Sequence, residues 1–166
     1  MIPAIWRKTV LLWTVLLAAC TVQLAPAYDQ ALVEGLDASH AKALTLFAAL
    51  ETGSSAAEFE TYAPRYAELI GGFEGLRERA LARQVPPLAR RLSKARIVQD
   101  FCNSRDDPTA CVNASPSSLE RVVAVIRMLR NRHRSSGLEE ETVRLLRRDY
   151  SLAIGQAITV ENALKR

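Results

Sequence analysis

The segment from Phe59 to Ala80 carries the pattern that most constrains how this chain can fold. Its large apolar residues recur at alternating intervals of three and four, which is the spacing of one face of an α-helix. The residues on this face are Phe59, Tyr62, Tyr66, Leu69, Phe73, Leu76 and Ala80. Because a helix with one apolar face must bury that face against other elements, the pattern predicts a packed helical domain.

Similar spacings elsewhere predict a total of five helices, beginning near residues 28, 59, 88, 117 and 139. The third is expected to be short, from Leu88 to Phe101, with Leu88, Leu92, Ala95, Val98 and Phe101 facing inward. The first is expected to run to Thr52, where Gly53 ends it. The start of the second is open, because Ser55–Glu58 resembles a capping box while Pro64 allows a later start near Ala63. No segment shows the sustained alternation of a β-strand. The sequence therefore predicts an all-α fold, an up-and-down bundle of four to five helices.

Three positions on these helices carry more specific expectations. Gly71–Gly72 costs helix stability, so we expect close approach of a neighbouring helix there, with a kink as the alternative. His40 lies on the apolar stripe of the first helix, which indicates a core-edge histidine with a hydrogen-bond partner. His133 lies in the basic segment Asn131–Arg134 at the end of a helix, which favours a solvated cation.

The first 20 residues have the three zones of an export signal. Arg7 and Lys8 precede an apolar run from Val10 to Leu17, and two alanines then lead to Cys20. A run of about 10 residues is too short for a bilayer, which requires about 20. We therefore favour a cleaved signal over an uncleaved transmembrane anchor.

The four residues Leu17-Ala18-Ala19-Cys20 resemble the lipobox of bacterial lipoproteins and match it at every position. The resemblance covers the signal region only and assigns no family to the rest of the chain. It implies cleavage before Cys20, acylation of that cysteine and attachment to a membrane. Because Thr21 follows, and not the aspartate that retains many such proteins in the inner membrane, it implies the periplasmic face of the outer membrane. The alternative is an ordinary secretory signal cleaved after Ala25 or Ala27.

These observations divide the chain into three parts. Residues 1–19 form the lipoprotein signal peptide, residues 20–27 a lipidated tether, and residues 28–166 a single helical bundle domain. The tether from Thr21 to Ala27 spans at most about 25 Å when extended, so the domain is expected to lie close to the membrane.

Cys102 and Cys111 are the two cysteines that remain after Cys20 is assigned to lipid. An even pair in an exported protein indicates a disulfide bond, and the turn residues Asp106–Pro108 allow the loop to close. Two free buried thiols are the alternative. The spacing of the pair, with no nearby histidine, does not provide a metal ligand set.

The chain carries none of the sequence motifs that mark common enzyme active sites, nucleotide sites or zinc sites. The paired acids Asp106–Asp107 and Glu139–Glu141 are explained by a turn and by a helix start. We therefore expect a protein that is not an enzyme, with no catalytic residues, no cofactor and no metal.

Charge is unevenly distributed along the chain. Residues 20–76 contain two basic and eight acidic side chains, whereas residues 77–166 contain 18 basic and 10 acidic ones. The two halves could attract each other within the bundle, or the second half could present a basic face outward. The candidate surface for an anionic partner consists of Arg127, Arg130, Arg134, Arg90, Arg91 and Lys94.

The expected function is that of a lipid-anchored, non-enzymatic interaction or assembly factor in the bacterial envelope, with an unidentified envelope protein as partner. One alternative is a structural lipoprotein that binds peptidoglycan or lipid headgroups through its arginine-rich faces. A second is a pilotin-like chaperone of a secretion component, on a resemblance of general character alone: small, helical and lipidated. Nucleic acid is not an expected partner, because an exported chain rarely meets it.

Overall fold

The computed structural model describes residues 23–102 and 111–165. The described residues form six α-helices, and a single turn of 3-10 helix, Ala56–Glu58, precedes the second. The helices are α1 Gln30–Ala49, α2 Phe59–Ala82, α3 Pro87–Leu92, α4 Arg96–Cys102, α5 Ser115–Ser136 and α6 Glu140–Leu164. Of the helices in this part of the chain, none is long and apolar enough to cross a membrane. The prediction of an all-α bundle is confirmed.

Four long helices form the bundle: α1 packs against α2 and α6, and α5 packs against α2 and α6. Successive long helices run in opposite directions, which is the up-and-down arrangement. At one end, here called the N-terminal end, the start of α1 and the end of α2 are joined by a bond between Asp29 and Arg79. At the opposite end, Ser54 and Leu138 exchange two backbone hydrogen bonds of 2.7 and 2.9 Å.

The core is built from the apolar stripes that the sequence predicts. On α2, Tyr66, Leu69, Phe73 and Ala80 are buried, and Phe59, Tyr62 and Leu76 pack against the core while half-buried. The other long helices contribute similar faces, including Leu32, Leu36, Phe47, Leu119, Val122, Ile126, Leu129, Val143, Tyr150 and Ile154. Burial of these faces is the main source of stability, since isolated helices of this length are marginal in water.

The helix boundaries correct two expectations. The first helix is shorter than predicted, because Asp29 caps its N-terminus and it ends at Ala49, ahead of Gly53. The capping box of Ser55 and Glu58 is present, and α2 continues from it through Pro64 without a break. Pro64 has no N–H, so the carbonyl of Glu60, four residues earlier, lacks its helix donor. Because Glu60 is exposed, water can bond to this carbonyl instead.

The expectation of close helix approach at Gly71–Gly72 is wrong. A Cβ atom on Gly71 would meet nothing within 4 Å, and one on Gly72 would lie 3.4 Å from Ser39 Oγ. The tight approach occurs instead at Gly35 of α1, where an added Cβ would lie 2.6 Å from the Cδ2 atom of Leu76. The side chain of Leu76 on α2 thus occupies the space that a side chain at position 35 of α1 would need.

The expectation of one helix over residues 88–101 is also wrong. The chain forms the two short helices α3 and α4, separated at Ser93–Ala95. Leu88 and Leu92, which the periodicity placed inward, are exposed, and Ala89 and Ser93 are the buried residues. Since α3 and α4 make few contacts with the long helices, they extend the N-terminal end of the bundle rather than its core.

Asp29 stabilises the N-terminal end through two interactions. Its Oδ1 accepts a hydrogen bond from the backbone of Leu32 and caps α1, and both carboxylate oxygens accept from Arg79 at 2.6 and 2.9 Å. The Arg79 guanidinium thereby holds the pKa of the Asp29 carboxyl below its usual value, although partial burial opposes this shift. Such a carboxylate contributes stability above its unfolded-state pKa of about 3.9, and the contribution is lost as the pH falls through the folded-state pKa.

We expect Asp29→Ala to lower the free energy of unfolding by about 1 kcal/mol near neutral pH, mainly through loss of the helix cap. Urea unfolding at a series of pH values tests this. The difference from the parent should shrink as the pH falls below about 4. The matched control Asp37→Ala, on the exposed side of α1, should change stability by less than about 0.5 kcal/mol.

Candidate functional site

A buried polar cluster lies at the N-terminal end, where α2, α5 and α6 meet. Arg83, directly after α2, donates to both carboxylate oxygens of Glu161 at 2.9 and 2.7 Å. Its guanidinium also donates to the amide oxygen of Asn113 at 3.0 Å. Ser115 donates a short hydrogen bond to the same carboxylate, and Asn113 donates to the backbone carbonyl of Ala80 at 2.9 Å. The cluster thus ties three helix ends together.

The ion pair in this cluster is almost completely removed from water. The side chain of Arg83 is 8 % exposed and that of Glu161 is 1 % exposed. Burial of two charges is costly, and only a bidentate geometry with further hydrogen bonds offsets the cost. The Nε atom of Arg83 is buried without a hydrogen-bond partner, whereas the other donors and acceptors named above point at protein groups. The cluster therefore has mainly the chemistry of a structural contact between helix ends.

A second polar group lies inside the opposite end of the bundle. His133 is fully buried, with Nδ1 3.0 Å from the Tyr66 hydroxyl and Nε2 3.1 Å from the carbonyl oxygen of Ser55. Since a carbonyl can only accept, Nε2 donates to Ser55, while Nδ1 shares a hydrogen bond with the Tyr66 hydroxyl, so both ring nitrogens bond to protein groups inside the bundle. The expectation of a solvated cation at His133 is therefore wrong. This histidine connects α5 to α2 and to the chain before α2.

His40 occupies the core-edge position that the sequence predicts. Its Nδ1 lies 2.9 Å from the hydroxyl of Tyr150, and its ring stacks on the tyrosine ring with centroids 5.7 Å apart. Tyr150 also contacts Phe47 and Phe73, so it anchors an aromatic cluster between α1, α2 and α6. Burial raises the pKa of both Tyr66 and Tyr150. Both histidines thus hydrogen-bond buried tyrosines and act in packing.

The three candidate arginines of α5 do not form one free surface. Arg127 forms an ion pair with Glu74 of α2, across the helix interface. Arg130 is half-buried and donates to the side chain of the adjacent Asn131 at 3.2 and 3.0 Å. Arg134 is exposed and lines a surface groove with Arg127 and Met128. Contacts such as Arg127–Glu74 and Arg79–Asp29 show that the acidic and basic halves of the chain attract each other.

The other three candidates, Arg90, Arg91 and Lys94, are exposed on and just after α3. Among the described residues, none of the three has an ion-pair partner. These side chains and those of α5 belong to separate parts of the molecule. The structure therefore places the predicted basic residues in two separate parts: Arg127 and Arg130 of α5 have protein partners, whereas Arg134 and the three residues at the N-terminal end have no ion-pair partner among the described residues.

The predicted lipidation site, Cys20, lies outside the described residues, and so do the side chain of Cys102 and residues 103–110. Cys111 is described and exposed. The chain from Gln23 to Tyr28 lies beside Cys111, Val112 and Leu164, with Pro26 buried. The start of the described chain and the end of the cysteine loop thus meet at the N-terminal end of the bundle.

Burial was predicted from the sequence for neither Glu161 nor His133, although the spacing of both residues carries a signal for it. Glu161 follows Ala157 by four positions and His133 follows Leu129 by four, so both lie on buried stripes. A polar residue at a stripe position indicates a buried hydrogen-bonded group more strongly than its charge indicates solvent exposure. In the part of the chain that the structure describes, no three acidic, histidine or cysteine side chains converge to hold a metal ion.

No protein-family model, curated protein or solved structure matches this chain.

Proposed function

We propose that this chain is a lipid-anchored lipoprotein of the bacterial envelope that faces the periplasm from the outer membrane and acts as a non-enzymatic interaction or assembly factor. The observation that carries this proposal is the sequence Leu17-Ala18-Ala19-Cys20, directly after a short apolar run. Acyl chains on Cys20 would supply the membrane attachment, since stable anchoring needs more than one chain.

The geometry of the bundle supports an anchored domain. Cys20 precedes Gln23 by three residues, so their Cα atoms are at most about 11 Å apart. Gln23 itself belongs to the chain segment that lies on the N-terminal end of the bundle. A bundle attached in this way is held at the membrane surface and works on partners that come within its reach.

The interior of the bundle supports a role in binding rather than in catalysis. Each buried ionisable side chain described above has a structural partner: Glu161 binds Arg83, and His133 binds Tyr66 and Ser55. Reactive groups in active sites are instead aimed into a cleft where a substrate can reach them. The polar groups of this core are already used to hold helices together.

The same compartment favours a disulfide between Cys102 and Cys111. Such a bond would close a short loop between α4 and α5 and stabilise the protein by about 2–3 kcal/mol. We expect thiol titration of the denatured protein, extracted from membranes, to find no free thiol before reduction and two afterwards, with the acylated Cys20 unreactive. Two thiols before reduction would contradict the disulfide, and three after reduction would contradict acylation of Cys20.

Site-specific crosslinking in cells tests the role in interaction. A photoreactive residue is placed at Met128 or Leu145, which are large exposed apolar side chains, and as a control at exposed Glu60. We expect one defined envelope protein to crosslink from one of the apolar positions and not from Glu60. The same chain with Cys20→Ser should lose that product, because it is no longer held at the membrane. Absence of any product at native abundance from both apolar positions would contradict an interaction factor.

A further inference from the structure

One segment at the N-terminal end combines exposed cations with exposed apolar side chains. We call residues 87–97, which comprise α3 and the start of α4, the basic–apolar segment. Leu88, Leu92 and Ile97 are 43 %, 46 % and 79 % exposed. Leu88 and Leu92 are one turn apart and share a face of α3. The cations beside them are Arg90, Arg91, Lys94 and Arg96, all exposed.

The cations of this segment differ from the arginines of the basic half that bind carboxylates across the bundle. Arg79, Arg83 and Arg127 bind carboxylates of neighbouring helices. The four cations of the basic–apolar segment have no ion-pair partner among the described residues. Exposed leucine and isoleucine side chains between unpaired cations are typical of protein surfaces that lie in the interface of an anionic bilayer.

The position of the segment indicates which surface it meets. It begins five residues after Ala82, the last residue of α2, and so lies at the same end of the bundle as the chain that leads from Cys20. Two further exposed leucines, Leu24 and Leu81, are at this end as well. Because Gln23 is within about 11 Å of Cys20, any lipid on Cys20 brings this end of the protein to the bilayer.

We propose that the basic–apolar segment is a second membrane contact, which inserts Leu88, Leu92 and Ile97 into the interface of a bilayer that contains anionic phospholipid. This inference rests on the proposed lipid anchor and adds the surface that the anchored domain presents to the membrane. The cations bind phosphate groups, and their long apolar stems lie along the inserted side chains. The attraction between these cations and the phosphates acts over a Debye length of about 10 Å at 0.1 M salt. The lipid anchor would keep this end of the bundle near the bilayer, so that the attraction can act.

Two contacts at one end fix the orientation of the bundle. With its N-terminal end on the bilayer, the four long helices, of 20, 24, 22 and 25 residues, point away from the membrane. At 1.5 Å per residue they place the opposite end, at Ser54 and Leu138, about 30–38 Å from it. The anchored protein therefore presents that opposite end to the periplasm.

Fluorescence provides the test, because both tryptophans of the chain, Trp6 and Trp13, lie in the signal peptide. The processed protein has none, so one tryptophan introduced by Ile97→Trp reports a single position. The lipidated protein is reconstituted into vesicles of phosphatidylethanolamine and phosphatidylglycerol with brominated acyl chains, which quench tryptophan on contact. The matched control is Leu152→Trp, since Leu152 is 62 % exposed in the middle of α6.

We expect the tryptophan at position 97 to lose most of its fluorescence to the brominated lipid and the tryptophan at position 152 to keep it. Arg90→Glu, Arg91→Glu and Lys94→Glu, added together to Ile97→Trp, should remove the quenching while the acylated protein still floats with the vesicles. Leu92→Trp serves as a second probe if Ile97→Trp lowers the helix content. Equal fluorescence at positions 97 and 152 in floating protein would overturn the inference. Tryptophan fluorescence from the parent protein, or failure of the parent to float, would instead contradict the lipid anchor.

Discussion

Replacing Glu161 with leucine is expected to lower the free energy of unfolding by about 3–5 kcal/mol, because it leaves the Arg83 guanidinium buried without its counter-charge. The leucine side chain fills a similar volume, so the loss reflects the charge and not a cavity. Arg83 keeps only its bond to Asn113. Urea unfolding followed by circular dichroism measures the change, and the baseline slopes should show that the variant is still folded at low denaturant.

The double variant Arg83→Met/Glu161→Leu removes both charges and so distinguishes the effect of an unpaired charge from the effect of losing the ion pair. Replacing both charges by apolar groups of similar size is often neutral, so the double variant should recover most of the stability that Glu161→Leu loses. The remaining deficit comes from Ser115 and Asn113, which lose their hydrogen-bond partners. If Glu161→Leu alone proved as stable as the parent, the cluster would not connect the helix ends as described.

Replacing His133 with alanine is the other change with a large expected effect, about 3–5 kcal/mol of unfolding free energy. It removes the hydrogen-bond partner of the Tyr66 hydroxyl and the donor to the Ser55 carbonyl, and each of these groups costs about 1–3 kcal/mol when left unsatisfied inside the protein. It also leaves a cavity between the rings of Phe59 and Tyr62. Chemical denaturation near neutral pH measures the effect.

Two variants serve as controls for His133→Ala. Arg134→Ala changes the adjacent exposed residue and should alter stability by less than about 0.5 kcal/mol. Tyr66→Phe removes only the hydroxyl that binds the ring and should cost about 1–3 kcal/mol. Equal and small effects of His133→Ala and Arg134→Ala would mean that His133 is a solvated helix-end residue, as its basic neighbours suggest.

The sequence was a good guide to the long helices because their apolar stripes are set by local spacing. Tyr66, Leu69 and Phe73 follow each other at intervals of three and four, and burial of that face requires no knowledge of the rest of the chain. Spacing failed for Leu88 and Leu92, which have the same interval of four. Periodicity identifies a helix face but does not say whether another helix covers it, and α3 has no long neighbour.

The polar interior was not predictable in the same way. Arg83 and Glu161 are separated by 78 positions, and only the up-and-down topology brings the end of α2 to the end of α6. The basic surface shows the same dependence on topology. Arg127 and Arg90 carry the same charge. Glu74 of α2 forms an ion pair with Arg127, whereas no carboxylate in the described chain forms one with Arg90. The packing of the helices therefore determines which arginines remain available to a partner.

The proposed lipid anchor and the membrane contact both require Cys20 to be the acylated first residue of the processed protein. The most direct test is the intact mass of the protein extracted from bacterial membranes, together with its N-terminal peptide. We predict a chain that begins at Cys20 and is heavier than the bare polypeptide by its acyl groups, and no such species from Cys20→Ser. An unmodified chain that begins at Pro26 or Tyr28, as an ordinary secretory signal would produce, would contradict the lipid anchor and the membrane contact built on it.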